Sequence, residues 1–374
     1  MNYAFEHADI PEVATYLQVL YPSKYQAIPT NITGKSFSRV FGANQSSLER
    51  FLLDRKIKGP CWLDIKLPSA SDPPSSWCKF EAICDTPNNV SVLNKNAPPA
   101  PPVTILALNM KTTINSKTHQ NEITLVSGLV NKEFHLDRAA PETPYREVFC
   151  ALSRPADEVW PFDFQKKLEQ NNKTGNFKII KMDSERALLS YLLTRIQNID
   201  PDIIIGHDVI GFDLEVLLHR TITNKIPNWS RLGRLKRSQP NTGSKGRIFE
   251  RYITTGRLIC DLKISAKELI RCKSYDLPAL SEKLLFKPQE NRAEIDVDAM
   301  RKAYDSSASL FEATSVCMWD AVDTLKCICE LNALPLALQI TQVAGNVMSR
   351  TLLGMHDFNL DNTKNEQQKE FDLQ

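Results

Sequence analysis

The chain is predicted to fold as an α/β protein in which helices cover a mixed sheet, preceded by a smaller α+β unit. Three observations predict this. The proline run Lys95-Asn96-Ala97-Pro98-Pro99-Ala100-Pro101-Pro102 divides the sequence into a shorter and a longer part. Proline fixes φ and removes backbone donors, so such a run is stiff, cannot hold a strand ladder, and marks a boundary. Two long β-rich runs follow it at 103–110 and 122–130, and helical and strand patterns then alternate.

Length agrees with two folded units: 374 residues exceed the usual size of a single domain. Apolar residues make up 42% and charged residues 24%, a globular balance without an apolar run of about 18 or more. A membrane partner is therefore not expected. Residues 1–9 show no basic region followed by an apolar core, so no secretory signal is expected and the chain is placed inside the cell. Nine cysteines occur without a CxxC pair, which predicts reduced, mostly buried thiols; six dispersed histidines give no zinc cluster. The net charge of +2 does not by itself announce a nucleic-acid binder, so the distribution of charge has to decide.

In chain order, Ser46-Ser47-Leu48-Glu49 has the form of a capping box, and Leu48, Phe51 and Leu52 carry a short amphipathic helix to Lys56. Gly59-Pro60 breaks it. Residues 61–66 and 77–83 have strand character, joined through the Pro/Ser-rich stretch 68–76. Past the boundary, 103–110 and 122–130 suit a long hairpin, with further strands at 148–152 and 177–181. Asp183 is a candidate cap for a helix whose stripe is Leu188, Leu192, Ile196 and Ile199, stopped by Asp200-Pro201. The strand Ile203-Ile204-Ile205 follows, then a turn at Gly206-His207-Asp208, then a second helix over 212–221.

This order of segments resembles the exonuclease domain of B-family DNA polymerases. The family's Asn-x-x-x-Phe-Asp motif has a counterpart in Asp208-Val209-Ile210-Gly211-Phe212-Asp213, and its Tyr-x-x-x-Asp motif in Val316-Cys317-Met318-Trp319-Asp320. Gly256-Arg257-Leu258-Ile259-Cys260-Asp261-Leu262 and Lys273-Ser274-Tyr275-Asp276-Leu277 sit where the family has similar segments. Two further stretches resemble the alpha branch of that family. One is Ser36-Phe37-Ser38-Arg39-Val40-Phe41-Gly42 with Lys56-Ile57-Lys58-Gly59-Pro60-Cys61-Trp62-Leu63; the other lies at 331–353, with Gln339-Ile340-Thr341, Ala344-Gly345-Asn346 and Ser349-Arg350-Thr351-Leu352. The likeness runs from about 36 to 354, and 355–374 is a divergent polar tail.

The resemblance implies a ribonuclease-H-like 3′–5′ exonuclease fold over 103–330, and an N-terminal domain over 1–102 that is completed by about 331–354. It also implies nuclear replication, with template or primer-template nucleic acid, the polymerase core and primase-complex subunits as partners. Phosphodiester hydrolysis by this fold uses two divalent ions roughly 4 Å apart, held by carboxylates. The family's first motif supplies an Asp-x-Glu pair, and its counterpart here is Asn109 and Lys111. One ligand is neutralised and the other reversed. Val316 replaces the motif tyrosine, Asp208 stands where the motif has Asn, and Asp213 and Asp320 remain.

No cofactor is therefore expected, and Mg²⁺ only if residual exonuclease activity exists, held by Asp208, Asp213 and Asp320. The bland reading makes Asp213 a helix-start carboxylate satisfied by backbone donors, with Asp320 paired to Lys111. Polymerase activity is not expected, since no Asp-Thr-Asp occurs and Val322-Asp323-Thr324-Leu325 lacks the second acid. The decoy Leu20-Tyr21-Pro22-Ser23 lacks the aspartate that should precede it, Tyr16 standing there. Arg231, Arg234, Lys236, Arg237, Lys245, Arg247 and Arg251 face only Glu250 in sequence, a local charge of +6, and form a candidate phosphate-binding loop flanked by Trp229 and Phe249. The expected function is a noncatalytic template-binding and scaffolding module. The alternatives are a weak metal-dependent 3′–5′ exonuclease and a pure protein-interaction scaffold.

Overall fold

The computed structural model describes residues 15–22, 24–26, 28–29, 32–43, 46–94, 96–175, 177–238, 253–287 and 294–354. The polar tail and Lys245, Arg247, Phe249 and Arg251 lie outside the described residues.

A six-stranded mixed sheet organises the longer part, in the order Leu258–Asp261, Ile203–Gly206, Val103–Ile114, Asn121–Phe134, Glu147–Leu152, Ile179–Lys181. β5 (Val103–Ile114) and β6 (Asn121–Phe134) form the predicted hairpin, extended at both ends. β7 (Glu147–Leu152) runs antiparallel to β6, and β8 (Ile179–Lys181), β9 (Ile203–Gly206) and β10 (Leu258–Asp261) each join a neighbour in parallel. Pleat alternation gives β5 two apolar faces. Ile105 and Ala107 enter one core, while Leu106, Leu108 and Met110 enter the other. A sheet buried on both sides needs helices on both.

The second face is covered by α3 (Glu185–Ile199) and α4 (Leu214–Thr223). On α3, Leu188, Leu192 and Ile196 are buried as the stripe required, each contributing about 1.5–3 kcal/mol over exposure. The cap is Ser184 and not Asp183. The Ser184 hydroxyl accepts from the Ala187 amide, and a shorter Ser side chain in extended backbone reaches that donor. The helix over 212–221 also starts later than expected, because Val209–Asp213 forms one π-helical turn before α4. Buried Arg220 of α4 donates to Glu185 of α3 at 2.9 Å through Nε, locking the pair of helices.

The first face is closed by α2 (Phe164–Thr174), α5 (Leu262–Leu269), α6 (Leu277–Leu285), α7 (Val297–Lys302) and the long α8 (Ser307–Glu330). α8 begins at the Ser306 cap and contains no Gly or Pro. Leu310, Ala313, Cys317, Ala321, Leu325 and Ile328 recur at helical spacing and are buried against the sheet. Among the described residues no single helix is long and apolar enough to cross a membrane.

The shorter part contains α1 (Ser47–Asp54), with both halves of the Ser46/Glu49 capping box, and two small antiparallel pairs. β1 (Leu63–Ile65) pairs with β4 (Val90–Val92), and β2 (Ser69–Ala70) with β3 (Ala82–Ile83). The expected strand over 77–83 is thus reduced to its last two residues, and part of the supposed connection 68–76 is itself extended. Ala333–Ala344 (α9) and Met348–Thr351 (α10) bury Leu334, Ala337, Met348 and Leu352 in the main core, while Arg350 pairs with Glu49 at 2.8 Å. Of the nine cysteines, Cys150, Cys260, Cys317 and Cys327 are buried, but Cys61 and Cys78 are exposed. The expectation of mostly buried thiols holds for the two in the sheet and for Cys317 and Cys327 of α8, where apolar neighbours surround them, while Cys329 at the end of α8 is partly exposed.

Candidate nuclease-type cleft

Asn109 and Lys111 continue the face of β5 that begins with Ile105 and Ala107, so both project toward α8. A register shift between Lys111 and Thr112 interrupts the pairing at this point, which resumes through Ile114 and Asn121. Lys111 Nζ lies 2.7 Å from Asp320 Oδ2, with the two side chains 17% and 10% exposed. Burial alone would push the Lys111 ammonium down, but Asp320, Cys317 and Asp213 outweigh it and its pKa is raised. The side chain of Asn109 accepts from Cys317 Sγ at 3.3 Å, and Cys317 also meets Ser127 Oγ at 3.2 Å. Burial pushes that thiol up to about 12. Val316, half-buried one turn before Asp320, brings no hydroxyl.

The second motif is built differently from the expectation. Asp208 sits in the left-handed region at φ 56° and precedes the π turn. Its carboxylate lies over Gly211, where a Cβ would fall 2.4 Å from Oδ1. Lys263 Nζ, from the first turn of α5, is 2.8 Å from Asp208 Oδ2. Asp213 makes no capping hydrogen bond. Its expected role as a carboxylate satisfied by backbone donors is therefore corrected, because the π turn carries the free amides away from it. Burial first, then Asp261 and Asp208, push its carboxyl up to about 8, against the pull of Lys111.

The backbone donors go to Asp261 instead. This last residue of β10 accepts from the amides of Asp208 (3.1 Å), Ile210 (3.0 Å) and Lys263 (2.9 Å), and it also caps α5. Burial still leaves its carboxyl raised. Sequence reasoning did not assign Asp261 to the site; an acid at the junction of an apolar strand run and a helical run was the available signal. Lys263 carried none. Among the described residues no group of three or more His, Cys, Asp or Glu is arranged to hold a metal ion.

The basic run lies apart from these carboxylates in its contacts, and its described members are engaged within the chain. The Arg231 guanidinium and the Lys236 ammonium lie over the Trp77 ring, 5.2 and 5.3 Å from its centroid. Ser76 bridges Leu235, the Trp77 amide donates to Arg234 O at 2.7 Å, and the Lys236 amide donates to Ser75 O at 2.9 Å. Arg234 reaches Asp200 (3.0 Å) and Asp202 (2.8 Å), and Arg257 shares Asp200. Gly256 at φ 91° lets this happen, since a Cβ there would stand 2.7 Å from Arg234 Cβ. Arg237 Nη2 donates to Thr255 Oγ1 at 3.3 Å. The run is thus opposed by Asp200 and Asp202, acids that are distant in sequence and adjacent only in space. Trp229 is buried, a core anchor and not a stacking platform.

Residues 38–280 match the family described as DNA polymerase family B, exonuclease domain. The chain belongs to the B-family DNA polymerases. The DNA polymerase alpha catalytic subunit of Xenopus laevis is 49% identical over 94% of this chain and 24% of its own length. That of Mus musculus is 45% identical with the same coverage, and the A subunit of Saccharomyces cerevisiae is 30% identical over 95% of this chain and 25% of its own. The chain thus spans about a quarter of the length of these curated relatives. Asp213 feels the charges of Asp261, Asp208 and Lys111, while Lys111 pairs with Asp320 and Lys263 with Asp208, so four acids and two ammoniums form one charged cluster.

Proposed function

We propose that the chain is a noncatalytic part of a replicative DNA polymerase of the alpha type, with a degenerate 3′–5′ exonuclease site and no polymerase palm. It holds template or primer-template nucleic acid and scaffolds the polymerase core and primase-complex subunits in the nucleus. The observation that carries the reading is the contact of Lys111 Nζ with Asp320 Oδ2 at 2.7 Å. A two-ion site needs an anion at the Lys111 position, and an ammonium there costs several kcal/mol against a bound cation. Asn109 is neutral and already engaged by Cys317. The residues present do not fit a pair of divalent ions, and no step is routed through them.

Helices on both faces of the mixed sheet support a ribonuclease-H-like exonuclease fold for 103–330. Completion of the N-terminal domain by 331–354 is supported by the Glu49–Arg350 pair and by Gly59 approaching Thr341, although the same segment packs into the main core. The test is incubation of the full chain with a 3′-labelled single strand and with Mg²⁺ or Mn²⁺, alongside a gel-shift titration on a primed template. Binding without shortening is the expected result.

A second reading, a protein-interaction scaffold that leaves DNA alone, is favoured by one observation. Arg234 is neutralised by Asp200 and Asp202, while Arg231, Lys236 and Arg237 are held against Trp77 and Thr255, which leaves them less free to follow a phosphate backbone. Absence of any gel shift would select it.

A further inference from the structure

We infer that Lys263 is the second of two built-in cations, so that the cleft balances its carboxylates with Lys111 and Lys263 and takes up no divalent ion in order to fold. This deepens the reading of a degenerate site and rests on it.

The geometry assigns three of the four acids a partner, and the fourth, Asp213, has its carboxyl pushed up by burial and by Asp261 and Asp208. Asp320 meets Lys111 at 2.7 Å and Asp208 meets Lys263 at 2.8 Å. Asp261 is held by the amides of Asp208, Ile210 and Lys263. Two acids are thereby matched by ammoniums and a third by backbone dipoles, which is the work that cations perform where carboxylates converge. The position of Lys263 has no explanation in helix preference, because a cation in the first turn opposes the helix dipole. It is explained by Asp208 across the cleft and by Asp261 at the cap. Gly211 completes the device by leaving room for the Asp208 carboxylate, whose Oδ1 would stand 2.4 Å from a Cβ there. Lys263 is a positioning residue in this account: it fixes Asp208 and, through it, the π turn that leads into α4.

Thermal unfolding of the full chain in EDTA and in millimolar MgCl₂ or MnCl₂ tests the inference. The midpoint of the unsubstituted chain is expected to be the same in all three solutions. A concentration-dependent rise with Mn²⁺ would mean that the folded state binds the ion, and would overturn the inference. Lys263→Met is expected to lower the midpoint, and Lys263→Met combined with Asp208→Asn to recover most of that loss by removing the acid left without a partner. A double substitution as unstable as Lys263→Met alone would show that only the lysine stem matters, and would defeat the assignment. If Lys263→Met does not fold, Lys263→Arg and Lys263→Gln decide: retention with Arg and loss with Gln is expected, and equal loss overturns it. Nuclease activity in the unsubstituted chain would defeat the proposed function, whereas the melts of the Lys263 and Asp208 variants in EDTA, where no divalent ion is free, report the pairing alone, so the two failures are distinguishable.

Discussion

Lys111 and Asp320, 209 positions apart in the chain, meet with 2.7 Å between ammonium nitrogen and carboxylate oxygen, and this pair ties β5 to α8. A mostly buried ion pair is costly to break from one side, since the remaining charge keeps its desolvation penalty. Lys111→Met is therefore expected to destabilise the chain by about 3 kcal/mol. Lys111→Met with Asp320→Asn should recover much of that. Urea unfolding of Lys111→Met, Asp320→Asn and the double substitution measures the coupling, and strict additivity would show that the two groups act independently.

Asp213 predicts a pH dependence. Its folded pKa of about 8 lies above the ordinary carboxylate value because of burial, Asp261 and Asp208. A raised folded pKa contributes stability that is complete below the unfolded value of about 4 and is lost as pH rises through 8. The unsubstituted chain should thus lose stability between pH 6 and pH 9, and Asp213→Asn should flatten that decline. Denaturant midpoints at the two pH values check it; an unchanged decline in Asp213→Asn would place the titrating group elsewhere.

No metal-dependent shortening of a 3′-ended single strand is expected, because Asn109 and Lys111 occupy two positions that carry acids in the family motif. Release of nucleotides in Mn²⁺ that disappears in Asp213→Ala would reverse this conclusion.

Nucleic-acid binding is expected to be modest and salt-sensitive. Lys236→Glu with Arg237→Glu should flatten the salt dependence on a single strand, by about 0.7 in logarithmic slope for each phosphate that is no longer neutralised. An equal slope moves the binding surface away from this run. Arg234→Glu is a different experiment: it sets a carboxylate against Asp200 and Asp202 and should cost about 1–2 kcal/mol, the part-exposed partners discounting the buried-pair figure. Its melting point, more than its DNA affinity, should fall.

Local chemistry made much of the fold legible. The Ser46/Glu49 box, the hairpin and the α3 stripe are each written in neighbouring residues, and each occurs where its pattern stands. The π turn was not legible, since Val209–Asp213 has the apolar content of an ordinary helix and only packing selects the wider turn. The cleft was half legible. Resemblance pointed to Asn109, Lys111, Asp213 and Asp320, yet the partners of Asp208 and Asp213 depend on Asp261 and Lys263, which only the parallel pairing of β9 with β10 brings close. The neighbours of the basic run were not legible for the same reason: Asp200 and Asp202 meet Arg234 from another part of the chain.

The Trp77 clamp also has a temporal side. Its indole Nε1 donates to Ser230 Oγ across 153 positions, and the bridge from Ser76 to Leu235 spans a similar interval. Contacts closing so long a loop form late, after local helices and hairpins have gained their own stability. During synthesis at roughly 5–20 residues per second, Trp77 leaves the ribosome many seconds before Arg231 and Lys236 can lie against its ring. For that interval the Trp77 ring, in the loop that joins Ser69–Ala70 to Ala82–Ile83, lacks the cations and the Ser230 hydroxyl that later meet it, and a nascent chain paused there would be more exposed to chaperones and proteases than the finished fold.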